Sequence, residues 1–462
     1  MMRSSRPVWR QSVEPSSFPD ERSRKVHEWK EQILSRYLDD ERISLFDPGD
    51  GNNIFYVRDQ LMVAEHALDS VSGRLDRYGS RVTGPSYELA GGASALSFAA
   101  GAAGPAPEQP AYPGMATFSF DPAKKVNVAE LALELSDGRL DTVAPNHVAI
   151  GLQIRRGFPD GDPEPADAAL PAMPAKVPTI GNGMKVAIID TGFPAKRAKG
   201  LGWFASGCEH QTFPGEIDDQ GAPLRNIDEL DEDDDGYLDA EAGHAVFIAG
   251  LIRRAAPSAT LLFLKALNSD GIGTEFGVSR AIGYAAARGA HIVNLSLGFY
   301  TLHDATPQGL RGAVDAARAK GLVLVAAAGN DALSSPTYPA AFDDVVAVGA
   351  HDGASDEPAR FSNRGPWVNV SAPGVREQST YVPGREDPRL TRDGDADRFP
   401  EWRTTALWSG TSFACGHVSG FLAANLDADA EATDLQAQAA EAMATLPGDA
   451  DGLRHLVPTA AF

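Results

Sequence analysis

Three short segments carry a carboxylate, an imidazole and a hydroxyl at positions where each could react. Val186-Ala-Ile-Ile-Asp190-Thr-Gly192 sets an aspartate directly after a continuous apolar run. A charge there is costly unless it is used or satisfied, although an Asx-type turn ending a strand would also accept it. Gly243-His244-Ala-Val-Phe-Ile-Ala249-Gly250 sets a histidine just ahead of an apolar helical run. The dipole at a helix amino terminus disfavours the imidazolium, so a useful base there needs a nearby carboxylate; with 10 histidines in the chain, a packed or surface residue is the plainer reading. Ser409-Gly-Thr-Ser412-Phe-Ala-Cys415-Gly416-His417-Val-Ser-Gly420 crowds small residues around Ser412 at a loop-to-helix junction. Small neighbours admit a peptide backbone, and helix-start N–H groups can bind developing negative charge; an ordinary serine cap is the alternative.

These segments must be positioned by the elements around them. Val186–Ile189, Leu261–Phe263, Ile292–Leu295, Leu322–Ala326 and Val345–Val348 are short apolar runs, separated in several cases by Ala-rich helical stretches such as 278–288 and 309–320. Such alternation predicts a doubly wound α/β domain with a mostly parallel sheet buried on both faces, over residues 179–462. In that architecture reacting groups gather at strand carboxyl ends and helix starts, which is where Asp190, His244 and Ser412 fall.

Taken together, D-[ST]-G, H-x-x-x-[VI]-A-G and G-T-S-x-A-x-x-H-V-x-G, in that order over about 179–425, resemble the signatures of the subtilisin-like serine peptidases, the subtilases of peptidase family S8. The order Asp, His, Ser is that of subtilisin and differs from those of chymotrypsin and the α/β-hydrolases. The resemblance implies a serine endopeptidase acting on extended polypeptide through an acyl-enzyme, with Ser412 as nucleophile, His244 as general base and then acid, and Asp190 orienting the imidazole. Asn330, ending Leu322-Val-Leu-Val-Ala-Ala-Ala328-Gly329-Asn330, resembles the family's oxyanion-hole residue. The Ser412 N–H would be the second donor. Ala328 and Gly329, with Gly271, Ile272 and Gly273 on one edge and Ser296, Leu297 and Gly298 on the other, resemble the segments that hold the peptide by main-chain hydrogen bonds. Two departures stand out: Ala245-Val246-Phe247 replaces the usual Gly-Thr-His, and Gly416 replaces a proline. Phe361-Ser-Asn-Arg-Gly-Pro and Val370-Ser-Ala-Pro-Gly374 match family segments read as scaffold.

Ahead of this domain, residues 1–45 form a charged tail, and 46–156 suggest a small α+β module with a Gly/Ala/Pro-rich insertion at 84–114. Within the module Ile54–Val63 has strand character. Leu68, Val71 and Leu75 are at helical spacing, and Asn127 with Glu130 makes a capping-box-like start. The module is like a subtilase propeptide in place and coarse pattern. It is therefore expected to pack on the catalytic domain as a partner, assist folding and block the groove, as in a zymogen. Residues 157–178, with six prolines, predict an extended, solvated, protease-accessible linker.

The remaining features bound the partners. With 63 acidic against 41 basic residues and a net charge of −22, the chain lacks the basic face that nucleic acid or an anionic membrane requires. No stretch of 18 apolar residues occurs and the start has no secretory apolar core. A cytoplasmic protein with no membrane span is the expectation. No cofactor is needed for the implied chemistry. Asp231-x-Asp233-x-Asp235-Gly236, with Asp239 at the ninth position, copies the start of an EF-hand loop and offers a structural calcium site; Ala242 stands where the bidentate glutamate belongs. Cys208 and Cys415 allow at most one disulfide, and Cys208 with His210 makes a weak metal pair. His417 is expected to be packed. Two other classes remain: a catalytically silent subtilase relative acting as an interaction protein, and a nucleotide binder using Gly271-x-Gly273-x-x-x-Gly277, whose spacing misses the dinucleotide fingerprint.

Overall fold

A computed structural model describes residues 43–46, 54–82, 115–136, 140, 142–151, 161, 163–166, 170, 177–194, 208–209, 226–353, 357–388, 397–400, 405–449 and 452–457. The insertion 84–114 and the pair partner His210 lie outside these residues.

In the leading unit, strands β1 (Ile43–Phe46), β2 (Ile54–Ala64), β3 (Arg81–Val82), β4 (Met115–Ser119) and β5 (Val143–Gly151) carry helices α1 (Leu68–Leu75) and α2 (Val128–Leu135). Strand β1 pairs antiparallel with β2 and begins inside the stretch read as charged tail: Ile43 sits opposite Val57 and is buried, which a solvated tail would not allow. Asn127 caps α2 by accepting the Glu130 N–H at 3.2 Å. That pins the helix start so that Val128, Leu131 and Leu135 meet Leu61, Val63, Val71 and Leu75 in one apolar cluster.

The larger unit is a parallel sheet in the order β20-β15-β14-β13-β11-β7-β9-β8. Its strands are β7 (Lys185–Asp190), β8 (Cys208–Glu209), β9 (Thr260–Lys265), β11 (Ile292–Leu295), β13 (Val323–Ala327), β14 (Val346–His351), β15 (Val370–Pro373) and β20 (Arg454–His455). Side chains alternate along a strand. On β7, Val186 and Ile188 therefore face α3 (His244–Ala255) and α6 (Thr411–Asn425), while Ala187 and Ile189 face α4 (Glu275–Ala287) and α5 (Gln308–Ala319). Both faces are dry, which explains runs with no polar alternation. Helix α7 (Ala432–Ala444) completes the carboxy-terminal part. Helices α3 and α6 approach closely: a Cβ at Gly420 would lie 3.0 Å from Ala255 Cβ and 3.1 Å from Ile252 Cα.

Short strands outside the main sheet join the two units. β10 (Ile272–Thr274) and β12 (Leu297–Gly298) both pair antiparallel with β5. A buried hydrogen bond at the same junction, between His147 Nδ1 and Glu275 Oε2 at 2.7 Å, fastens β5 to the start of α4. The stretch read as a solvated linker is partly packed instead. β6 (Glu164–Pro165) pairs with β19 (Thr405–Trp408), which in turn pairs with β16 (Glu377–Thr380); β17 (Gly384–Arg385) and β18 (Arg398–Phe399) form a separate ribbon. Ala166 is buried, Trp408 Nε1 donates to the Gly161 carbonyl at 3.2 Å, and Arg376 pairs with Glu164 at 2.8 Å. Proline fits there because the partner strand leaves the other edge of this two-residue strand unpaired, a position that tolerates a missing N–H.

Phe247 on α3 packs against Phe413 on α6 and edge-on to Trp408, with centroids at 4.4 and 5.8 Å. Phe247→Ala is expected to lower the unfolding free energy by about 3–5 kcal/mol, read as a shift in the urea midpoint with an unchanged slope.

Candidate active site

Asp190 is the last residue of β7, the strand between β9 and β11. Its fully buried carboxylate accepts from the adjacent Thr191 N at 2.7 Å and clasps His244 Nδ1 at 3.0 and 2.9 Å through its two oxygens. His244 is the first residue of α3, behind Gly243 in a left-handed conformation (φ 78°); a Cβ at Gly243 would lie 2.7 Å from Val382 Cγ2, so only glycine turns the chain there. The ring is enclosed by Trp408 and Phe413, with centroids at 5.4 and 5.5 Å.

Burial pushes the His244 imidazole towards its neutral form. The Asp190 charge, then Glu241, the Asp190 hydrogen bond and Asp228 outweigh it, so its pKa is raised to about 9. The carboxylates thus overcome the helix-start disadvantage that the sequence position creates.

Asp228 carries no signal beyond membership of an acidic run, yet it ties the site together. Its Oδ2 accepts from Gly243 N at 2.8 Å and Thr191 Oγ1 at 2.9 Å, joining the end of β7 to the start of α3; its Oδ1 accepts from Leu230 N at 3.1 Å and Ser269 Oγ at 3.0 Å. Burial raises its pKa to about 6 against the pull of Lys265 and these donors.

Ser412 is the second residue of α6. Its hydroxyl donates to the Ser296 carbonyl at 3.2 Å, and among the hydrogen bonds of the described residues none joins it to His244. Catalytic hydrogen bonds are often loose until substrate is engaged, and a rotation about one χ1 bond redirects a serine hydroxyl. Asn330 is held by its amide oxygen, which accepts from Thr411 N and Thr411 Oγ1, each at 2.9 Å. That sets the amide's orientation from the residue next to Ser412. Thr411 Oγ1 also accepts from Gly329 N at 3.1 Å. Behind them Asn363, in a segment read as scaffold, donates to Tyr300 Oη, Ala328 O and Thr337 Oγ1, and accepts from Asp331 N and Leu333 N. Cys415 is buried beside Asn294, whose amide donates to its sulfur at 3.1 Å, and burial pushes the thiol up to about 12. His417 pairs with Glu377 at 2.7 Å, away from the reacting groups.

Both edges of the groove are occupied by β5. Ile272, Gly273 and Thr274 sit opposite Ile150, Ala149 and Val148, while Leu297 and Gly298 sit opposite Gly151 and Ile150. Gly151 N donates to Gly271 O at 2.6 Å. Five of the predicted groove residues, Gly271, Ile272, Gly273, Leu297 and Gly298, thus meet β5, while Ser296 precedes Leu297 and Ala328 and Gly329 follow β13 next to Asn330.

The acidic loop is partly different from its sequence reading. Carboxylate oxygens of Asp231, Asp233 and Asp235 lie within 4.8 Å of one another and could hold a cation. Asp239 does not join them: it is buried and its Oδ2 accepts from Glu232 N at 2.8 Å. Its N–H also donates to Leu230 O at 2.9 Å, so it is tied to the 230–232 turn.

Comparison with known proteins identifies the family. The pattern of the Subtilase family matches residues 181–456. The chain belongs to the subtilase family. Relatives include the thermophilic serine proteinase of Bacillus sp. (strain AK1), 35% identical over 249 residues that make up 52% of each chain. Subtilisin BL of Lederbergia lenta is 33% identical over 52% of this chain and 75% of its own, and thermitase of Thermoactinomyces vulgaris 33% over 52% and 74%. This subtilase thus spans about half the length of the first of these relatives. Fervidolysin from Fervidobacterium pennivorans, a keratinolytic enzyme related to subtilisin, shares the fold with a TM-score of 0.51 at 18% identity, over 80% of this chain and 54% of its own. Among the described residues no helix is long and apolar enough to cross a membrane.

The raised His244 pKa has a consequence for stability. A base whose folded pKa lies above its unfolded value of about 6.5 contributes stability that is complete below that value and lost as pH rises towards the folded value. Asp228 changes its contribution below about pH 6 and so does not overlap. Ser412→Ala chains should therefore unfold at lower urea at pH 10 than at pH 7. Adding His244→Gln should shrink that difference by the imidazole's share, measured by urea titration across this range; what remains includes the share of the Cys208 and Cys415 thiols, which burial pushes up to about 11 and about 12.

Proposed function

We propose that this subtilase is a serine endopeptidase whose own leading module fills the groove until it is cut away. The observation that carries the reading is β5: an extended strand held antiparallel on both sides, its end at Gly151 beside the buried Asp190–His244 pair and one residue short of the register of Ser296, on which the Ser412 hydroxyl is anchored. A peptide substrate would gain the same main-chain bonds.

In this reading, substrate enters as β5 does, and the Ser412 hydroxyl swings from Ser296 O to His244. The imidazole must be neutral to act as base and, with a pKa of about 9, is increasingly so as pH rises. It then accepts the serine proton as the oxygen attacks the carbonyl, and the Asp190 carboxylate offsets the charge formed on the ring. Asn330, oriented through Thr411, donates its amide to the oxyanion, joined by the Ser412 N–H at the start of α6. Such an amide is worth about 2.7–4 kcal/mol in subtilisin itself, where that magnitude was measured. Protonated His244 then passes its proton to the leaving amine, and water hydrolyses the acyl-enzyme by the reverse sequence.

Because β5 ends beside the reacting groups, we place the self-cut within the few residues that follow Gly151 in sequence, ahead of the proline-rich stretch. The module would then act as folding aid and inhibitor, its hold strengthened by the His147–Glu275 pair. A wild-type chain should yield two fragments with a new amino terminus just beyond Gly151 and should take a fluorophosphonate label on Ser412. Ser412→Ala should give one uncut, unlabelled chain. Processing of that variant without added protease would defeat self-cleavage, and an unlabelled wild type would defeat the peptidase reading. Asn330→Ala should lower kcat by about 10²–10³-fold with little change in KM.

For the acidic loop the reading is a structural calcium site formed by Asp231, Asp233 and Asp235, neutralising crowded charge ahead of α3. Calcium takes six to eight oxygens, so carbonyls and water would complete the set. A calorimetric melt should fall to lower temperature with chelator; an identical transition would remove the site.

A further inference from the structure

Glu241, which the mechanism above does not use, lies three residues before His244 and is fully buried. Its backbone is fixed on both sides: its N–H donates to Ser269 O at 2.7 Å, and its carbonyl accepts from His244 N at 3.0 Å. Its carboxylate has His244 Nδ1 at 3.6 Å and is hemmed by two glycines from different segments. A Cβ at Gly271 would stand 2.7 Å from its Cδ and 2.8 Å from its Cγ, and one at Gly151 would overlap the carboxylate, 2.6 Å from Oε1 and nearer still to its other atoms. Gly151 and Gly271 are themselves joined by the 2.6 Å main-chain bond. The carboxylate therefore occupies the volume that the side chain of a substrate residue seated at Gly151 would need. With Gly271, Ser269 and His244 around it, little room is left for it to turn aside, and overpacking of this kind carries a penalty.

We propose that Glu241 is a specificity-determining residue: it closes the subsite where Gly151 sits, so that the enzyme selects peptides with glycine there. Register identifies that position. Gly151 faces Leu297, one residue short of Ser296, which makes it the second residue on the amino side of the bond that Ser412 attacks. The leading module supplies the required glycine itself. This inference rests on the peptidase reading above and deepens it from extended polypeptide to polypeptide bearing glycine at that place.

The test compares quenched fluorescent peptides differing only at this residue (Gly, Ala, Val, Lys), cut by the self-processed wild type and by Glu241→Gln and Glu241→Ala. Wild type should prefer glycine over alanine by roughly tenfold or more in kcat/KM, the scale of one overpacked methyl. Glu241→Gln keeps the volume and should keep the preference, whereas Glu241→Ala should bring the peptides to within about threefold of one another. In the intact chain Gly151→Ala should slow self-processing, and adding Glu241→Ala should restore it, which separates a closed subsite from a misfolded strand. Equal cutting of the Gly and Val peptides by wild type, or a glycine preference that survives Glu241→Ala, would overturn the assignment. So would a preference for Lys, since it would mean that the carboxylate swings away to pair with a cation. Labelling of Ser412 by fluorophosphonate distinguishes the two levels: a labelled enzyme without glycine preference overturns only this inference, and a protein that neither labels nor cuts overturns the peptidase reading with it.

Discussion

A fully buried carboxylate at the end of a central strand is the constraint around which the rest of this structure is organised. Asp190 has no access to water, and an ionised carboxylate in such a place is tolerable only when donors and an opposite charge surround it. The chain meets that demand with the Thr191 amide and the His244 ring, and it delivers His244 by starting a helix there. Asp228 then locks helix and strand to each other through Gly243 and Thr191. Three acidic groups and one imidazole in one dry space form a set that would be unstable if any member were misplaced, so the site is as much a folding constraint as a chemical one.

The second half of the site is built on helix α6 and strand β13. Thr411 serves both, orienting Asn330 through its amide oxygen while accepting from Gly329. Asn363 braces the same turn from behind with five hydrogen bonds. A side chain fastened at its acceptor end keeps its amide N–H donors in a fixed place. At the start of one helix the Ser412 hydroxyl is turned to the Ser296 carbonyl, and at the start of another His244 is held.

The leading unit and the larger domain are continuous through β5. A sheet edge is a row of unmet main-chain groups, and here the unit that supplies the covering strand is part of the same chain.

The short apolar runs between Val186 and Val348, the motif order Asp190, His244, Ser412, and Asn330 after an apolar strand were legible because they are local: burial on both faces removes alternation, and glycines mark turns within a few residues. The same is true of the Asn127 cap. What sequence could not tell was decided by contacts between distant segments. The packing of residues 161–166 against Trp408 overrode a composition that suggested a solvated linker. Asp239 is tied to the turn at Leu230 and Glu232, which no spacing of acids reveals. Asp228 and Glu241 look like any other members of an acidic run. Their roles arise only when β7, the start of α3 and the end of β5 converge, because a side chain's volume and charge acquire meaning from what the fold brings against them.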